Sequence, residues 1–514
     1  MEKRIHQSVI QSLSKFCIPV LLITVFGLTH CTVIPIFNKK EKDSKAKLAL
    51  AFLIVDSMMC HNSRGEFWAR DTVTNVSYCV KTDFVTESNN AKLYVEKNLS
   101  TGLNYSSILS TYENQIINRE TQAFGAPSDI DNDGKITVIV LDIIDGSTSS
   151  SGFVAGFFDP VNFYTDDPSK SLRSNQKEIL YMDGKELAAL EGRSPGSFLI
   201  TLAHELQHLI RFQYELATNT EDDTWINEGT SEVASDITGF GPQASRISCF
   251  RGTSCSGGVS GISIANWSSE LKSYAYAYSL MKYIYENSGT TTAQKYAFFK
   301  KSVSGDTSGV RANNATNLME VFKSASSYNA SILNPYSSNS DMFKRLMAAF
   351  WGQSQGYANI TTTYFGNTSI VSSIDSVRTN YPLPSELAGL YAFGGLSYSG
   401  TGPVNTSISP TATYRLNGNT TGVTSGGSNF VVVKNSINDY LLLNGAVSGT
   451  SSQSGTAILL EPIDYPKLDL KEEVLPICPN KHLHTVHAIH KRTADLTIYQ
   501  KQSEETEIIS PENY

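Results

Sequence analysis

His204, Glu205 and His208 stand in the stretch "TLAHELQHLIRFQYE", two histidines four residues apart around a glutamate. On a helix, residues i and i+4 share a face, so both imidazoles can present a nitrogen to one point. Zinc accepts such a pair, and a glutamate between them is placed to take a proton from an activated water. A chain of this length contains HExxH by chance about once in a hundred, so the motif needs support from elsewhere. The distribution of histidines gives some. Of nine, His6 and His30 lie in the first 31 residues, His482, His484, His487 and His490 crowd the C-terminal tail, and His61 stands alone. The body of the chain keeps its other two histidines for this motif.

A catalytic zinc site needs a third protein ligand and an open position. "TWINEGTSEVASD" offers Glu228, with nineteen residues (209–227) between it and His208. HExxH followed after about twenty residues by W-I-N-E-G resembles the gluzincin class of zinc metallopeptidases, to which thermolysin and the zinc aminopeptidases belong. With the upstream "FGAPSDIDNDGKITVIVLDI", the motifs resemble more closely the hyicolysin family of bacterial metallopeptidases, over roughly residues 90–300.

The resemblance implies His204, His208 and Glu228 as zinc ligands and Glu205 as general base. It also implies Asn227 and Glu232 as groups that orient the ligands, with Glu232 holding a histidine in its tautomer. In zinc aminopeptidases a tyrosine at the start of the next helix stabilises the oxyanion. That pattern falls on Tyr274 in "YAYAYSLMKYIYENSG", with Tyr276 second, although the whole segment is tyrosine-rich. A plain solvated helix face is the competing reading of Glu228 and Glu232.

A second metal question sits in "DIDNDGK". Asp129, Asp131 and Asp133 before Gly134 copy the first half of an EF-hand calcium loop. Val140 stands at the twelfth position, where that loop needs a bidentate glutamate, so a full EF-hand is excluded and an Asx-rich turn feeding a strand competes with a calcium site. The tail histidines in "HLHTVHAIH" read as an adventitious polar cluster.

These residues need elements to hold them. Leu199, Leu202, Leu206, Leu209 and Ile210 recur at helical spacing through the HExxH segment, with Ser194 and Pro195 as its start signal. Further helices are expected at 224–237, at 270–289, and over "SSILSTYENQIINRE", "TAQKYAFFKKSV" and "DMFKRLMAAFWG". "AKLYVEK", "KITVIVLDI" and "EILYMD" read as strands by their β-branched and aromatic content. "SGFVAGFFDP" reads as an edge strand along which an extended peptide pairs.

The expected fold class is α+β: a gluzincin-type catalytic domain with a mixed β-sheet, an active-site helix and a helical lobe, followed by an all-β domain. At 514 residues the chain exceeds one growing core. Residues 1–31 read as a signal peptide, with Lys3, Arg4 and Lys15 before a short apolar run and a lipobox-like "LTHC" in which Cys31 would carry lipid. Residues 32–89 follow as spacer and small N-terminal region, 90–365 as the catalytic domain, 366–465 as a Gly/Ser/Thr-rich β domain, and 466–514 as a charged, His-containing tail.

Export places the chain at the cell surface, on an outer membrane or in the medium. There Cys249 with Cys255, and Cys60 with Cys79, form the natural disulfide pairs, leaving Cys478 over. A net charge of −8 with no basic stripe argues against nucleic acid as partner. The expected function is zinc-dependent hydrolysis of peptide bonds in extracellular proteins, with Zn2+ as cofactor and Ca2+ open. The G-x-M-E-N signature by which zinc aminopeptidases hold a free N-terminus is missing, which favours internal cleavage. An exopeptidase, and a surface adhesin carrying a relic peptidase domain, stand as the alternatives.

Overall fold

The computed structural model describes residues 60–388, apart from short internal stretches, and isolated strands beyond them. The expected signal peptide, Cys31 and most of the tail therefore lie outside the described residues.

Six strands form one mixed sheet in the order Glu66–Asp71, Val76–Glu87, Ala91–Glu96, Ile136–Leu141, Ile179–Asp183, Gly156–Phe158. β1 (Glu66–Asp71), β2 (Val76–Glu87) and β3 (Ala91–Glu96) form an antiparallel meander. A helical segment follows: α1 (Tyr105–Thr111), a π-helical turn at Tyr112–Ile116, and α2 (Ile117–Ala123). β4 (Ile136–Leu141) then pairs in parallel with β3 and with β7 (Ile179–Asp183). The short β5 (Phe153–Val154) leads through Ala155 into β6 (Gly156–Phe158), which runs antiparallel to β7 at the sheet's edge. β5 also pairs in parallel with Pro476–Ile477. The first two strands, from the expected small N-terminal region 32–89, pair into the sheet that carries β3.

All six residues of "ITVIVL" in β4 are buried. The reason is that the sheet is covered on both sides, which turns an alternating pattern into a continuous apolar run. Val138 and Val140 face the large helical core, while Ile139 and Leu141 join Phe67, Ala69, Val80, Phe157 and Tyr181 in a smaller core on the other face.

After β7 the chain is helical: α3 (Glu186–Arg193), α4 (Ser197–Thr218), α5 (Thr224–Thr238), α6 (Ala244–Arg251), α7 (Leu271–Asn287), α8 (Thr292–Ser304), α9 (Ala315–Phe322), α10 (Ala330–Leu333), α11 (Asn339–Ser354) and α12 (Asp375–Asn380). Leu202, Leu206, Leu209 and Ile210 are fully buried, as the helical periodicity requires. The start of α4 differs from expectation. Ser194 closes α3 instead of opening α4, and Gly196 occupies the N-cap at φ 96° with no side-chain cap. Capping comes from outside the helix: Glu191 accepts Gly196 N–H at 2.8 Å and Phe198 N–H at 2.7 Å. A carboxylate there also suits the positive end of the helix dipole.

Cys249 and Cys255 are bonded to each other, and Cys60 and Cys79 are each disulfide-bonded. In the region of the expected C-terminal β domain, Phe430–Lys434 pairs antiparallel with Asp439–Asn444 and also with Thr361–Tyr364, which the sequence places at the end of the catalytic domain. Thr413–Asn417 pairs antiparallel with Asp439–Asn444 as well, and Asn405–Ile408 with Ser451–Ser454, while most of the segments that join these strands lie outside the described residues. Among the described residues no helix is long and apolar enough to cross a membrane.

Candidate metal centre

α4 and α5 pack face to face and build the site between them. His204 and His208 occupy successive turns of α4, with Glu205 beside them, and α5 answers with Asn227, Glu228, Ser231 and Glu232. Gly229, next to Glu228, explains how close α5 comes to the following helix. A Cβ there would sit 2.9 Å from the Ala277 carbonyl oxygen of α7, so only glycine lets the two backbones meet.

His204 Nε2 lies 3.0 Å from His208 Nε2. Glu228 Oε2 lies 3.3 Å from His204 Nε2, and Glu228 Oε1 lies 3.6 Å from His208 Nε2. Ligand atoms held tetrahedrally at about 2.0–2.1 Å from one ion are about 3.3 Å apart, so this triangle has the size that a zinc ion requires. The donor set fits as well: two imidazoles and one carboxylate leave a fourth position open. Glu228 is fully buried and the two histidines nearly so.

Electrostatics support the same geometry. Burial by itself would lower His204, but the Glu228 carboxylate hydrogen-bonded to it, with Glu205 and Glu232 nearby, raises it to about 9. Burial would likewise raise Glu228, yet the adjoining His208 and His204 hold it well below the ordinary carboxylate range. A carboxylate held ionised against two imidazoles presents the charge and lone pairs that a divalent cation can take over.

The groups behind the triangle are firmly held. His208 Nδ1 is 2.8 Å from Asn227 Oδ1. Glu232 Oε1 lies 3.9 Å from His204 Nδ1, is bound by Arg246 through Nε at 3.0 Å and Nη2 at 2.7 Å, and Glu232 Oε2 accepts Gln243 Nε2–H at 2.6 Å. Glu228 and Glu232 are both buried, so the solvated-face reading fails for them.

A cleft opens on the His204 side, bounded by Ala155, Gly156, Ile200, Thr201, Glu205, Gln243, Arg246 and Tyr274. The expected edge strand is therefore in place, since β6 forms the sheet's margin beside Glu205. Tyr274 lies in the cleft lining, its ring 5.3 Å from the Arg246 guanidinium and edge-on to Trp267 at 4.8 Å. The other tyrosines of α7 have structural tasks. Tyr276 OH accepts Trp351 Nε1–H at 2.8 Å; Tyr278 OH accepts Gln243 N–H at 2.9 Å and donates to Asp236 at 2.8 Å.

Sequence reasoning missed Gln243 and Arg246. Only their spacing of three at the opening of α6 marks them, and nothing local says that this face meets Glu232.

Asp129, Asp131 and Asp133 do converge. Their oxygens, however, are taken up by the loop's own backbone: Asp129 Oδ1 accepts Gly134 N–H at 3.0 Å, while Asp131 Oδ1 and Asp133 Oδ1 close Asx turns with Asp133 N–H at 3.3 Å and Lys135 N–H at 2.8 Å. Lys92 Nζ sits 2.9 Å from Asp133 Oδ2, and Lys177 reaches both Asp131 and Asp133. Two ammonium groups supply the positive charge that calcium would bring, so the geometry does not support the calcium expectation.

No family model matches the chain. Over 204 residues it is 29% identical to the neutral metalloprotease ShpI of Staphylococcus hyicus, a match covering 38% of this chain and 45% of ShpI. The chain thus matches less than half the length of that relative, and across that stretch it is related to a metalloprotease.

Proposed function

We propose that the chain is an exported zinc endopeptidase of hyicolysin type within the gluzincin class. The observation that carries the reading is the triangle of His204 Nε2, His208 Nε2 and the Glu228 carboxylate beside a cleft that also holds Glu205. The relation to a neutral metalloprotease supports it. Bound zinc would polarise the scissile carbonyl and bring the pKa of a water toward neutrality.

The protein's own part follows from the cleft. An extended peptide lies along the edge of β6, where backbone pairing fixes its direction. Glu205, 2% exposed, faces the attacking water, accepts its proton and passes it to the leaving amine. Tyr274, fully buried in the cleft wall, donates its hydroxyl proton toward the developing oxyanion. Asn227 and Glu232 hold the imidazoles in place. Extracellular proteins are the substrates on this reading, and lipid on Cys31 ties the protein to a membrane surface.

The test is zinc content by mass spectrometry of the purified chain beside His204→Ala and Glu228→Ala, with casein hydrolysis on the same samples. One zinc per chain, lost with activity in both variants, is expected. A correctly folded parent that takes up no zinc would leave HELQH a helix with two histidines. N-blocked peptides, set against free ones, separate internal cleavage from exopeptidase action.

A further inference from the structure

Behind His208 a chain of buried side chains runs away from the cleft. Asn227 Oδ1 faces His208 Nδ1 at 2.8 Å, and the other end of the same amide, Nδ2, donates to Glu215 Oε1 at 3.3 Å. Glu215 lies two helical turns beyond His208 on α4, hence on the same face, and is 1% exposed. It is hydrogen-bonded in turn to Asp222, which also takes Arg211 and, at 3.0 Å, Arg311 Nη2.

The charges settle which way these bonds run. Burial works against an ionised Asp222, but Arg211 and Arg311 overcome it and hold that carboxyl well below its usual range. Burial, and then Asp222, push Glu215 far up. Glu215 is therefore the neutral partner and gives its proton to Asp222, which leaves its carbonyl oxygen toward Asn227 as an acceptor.

A buried amide can be turned end for end with no change of shape. With Oδ1 toward His208, the imidazole carries its proton on Nδ1 and offers the Nε2 lone pair to the centre shared with His204 and Glu228. Turned over, Nδ2 would face Nδ1 and drive the proton onto Nε2, closing that ligand position. An acceptor on Glu215 is satisfied only by the first arrangement. Ser231 agrees with it: its hydroxyl donates to Gln207 Oε1 or to the backbone carbonyl of Asn227, so at 3.1 Å from His208 Nδ1 it accepts.

We propose that Glu215 is a positioning residue for the metal site, fixing the Asn227 amide so that His208 stays protonated on Nδ1 and open at Nε2. The proposal rests on the zinc reading above, and the test separates the two. Zinc affinity is measured by chelator competition on the full chain, its Glu215→Met and Glu215→Gln variants, and Glu215→Met combined with Asn227→Ala. The methionine variant is expected to bind zinc about 10-fold to 100-fold more weakly, with a shifted visible spectrum of its cobalt form. Glutamine, which can both accept from Asn227 and donate to Asp222, is expected within about threefold of the parent. In the Asn227→Ala background the methionine change should add nothing further.

A methionine variant that binds as the parent does, or that loses as much again when Asn227 is alanine, would overturn the role of Glu215 while leaving the zinc reading intact. A parent that binds no zinc would overturn both. Should methionine prevent folding, 15N-histidine labelling of the metal-free parent decides: His208 protonated on Nε2 alone would mean a reversed amide and end the proposal.

Discussion

Arg246 reaches a single oxygen of Glu232 with two of its nitrogens, Nε at 3.0 Å and Nη2 at 2.7 Å, and neither side chain is more than 7% exposed. That pair is what keeps a carboxylate facing His204 Nδ1 inside the protein. Removing one partner strands the other charge in a low dielectric. Arg246→Met is therefore expected to destabilise the metal-free chain by about 3 kcal/mol, read as a lower urea midpoint. Adding Glu232→Gln should restore most of the loss, because no buried charge is then left alone. A methionine variant as stable as the parent would show that Glu232 does not depend on Arg246.

Glu205 stands on the same helix turn as His204 but outside the ligand triangle, with its side chain in the cleft lining. Changing it to glutamine removes the base without removing a ligand. Peptide hydrolysis should fall by about 10²-fold to 10⁴-fold, while zinc content per chain remains that of the parent. Loss of zinc in this variant would place Glu205 among the ligands, and retained turnover would move the base elsewhere.

How far this site is readable in the sequence depends on whether its parts share an element. His204, Glu205 and His208 share one helix face, which spacing alone makes legible, whereas Asn227, Glu228 and Glu232 on the next helix were legible through the resemblance to gluzincins, because no spacing rule says that this helix meets the first. The strands β3, β4 and β7 were legible too, from β-branched runs. What failed was what only packing decides. Nothing near Ser194 says that Glu191 from the preceding helix will cap α4 and shift its start to Ser197. Nothing in "DIDNDGK" says that Lys92 and Lys177, each more than thirty residues away, will meet its carboxylates. The same holds for Arg246 and Glu215, which act on the site through contacts between helices.

Gly156 is expected to be the most sensitive position of β6. A Cβ there would lie 2.9 Å from the Tyr181 carbonyl oxygen, 3.1 Å from Thr201 Cγ2 and 3.2 Å from Glu205 Cγ. A backbone atom cannot step aside as a side-chain end can, so either the edge strand or the helix carrying Glu205 must move. Displacements of this order at a reacting group cost up to about 10²-fold in rate. Gly156→Ala should lower kcat/KM by at least about 10-fold with zinc retained. Gly192→Ala, where a Cβ meets nothing within 4 Å, is the matched control and should gain about 0.5–1 kcal/mol of stability. Equal activity in the two variants would remove β6 from the account of the cleft.

Asp183 ends β7 and caps α3, accepting Leu187 N–H at 2.7 Å from a position 1% exposed. Burial pushes its carboxyl up to about 7, Glu186 adds to the rise, and the backbone donors Leu187, Ile143 and Lys185 work against it. In the unfolded chain this carboxyl titrates near its ordinary value of 3.8. Below that value both states are protonated. Between there and about pH 7 the unfolded state loses its proton while the folded state keeps it, so the native state binds more protons and stability falls as pH rises. Above about 7 both are ionised and the slope ends. One pKa unit corresponds to about 1.4 kcal/mol, so this single group contributes a decline on the order of a few kcal/mol. Asp183→Asn keeps an acceptor for the helix start and cannot ionise; its urea midpoint should lack that decline. Parallel pH profiles for parent and variant between about pH 4 and about pH 7 would show that Asp183 titrates near its ordinary value, and that its backbone donors outweigh its burial.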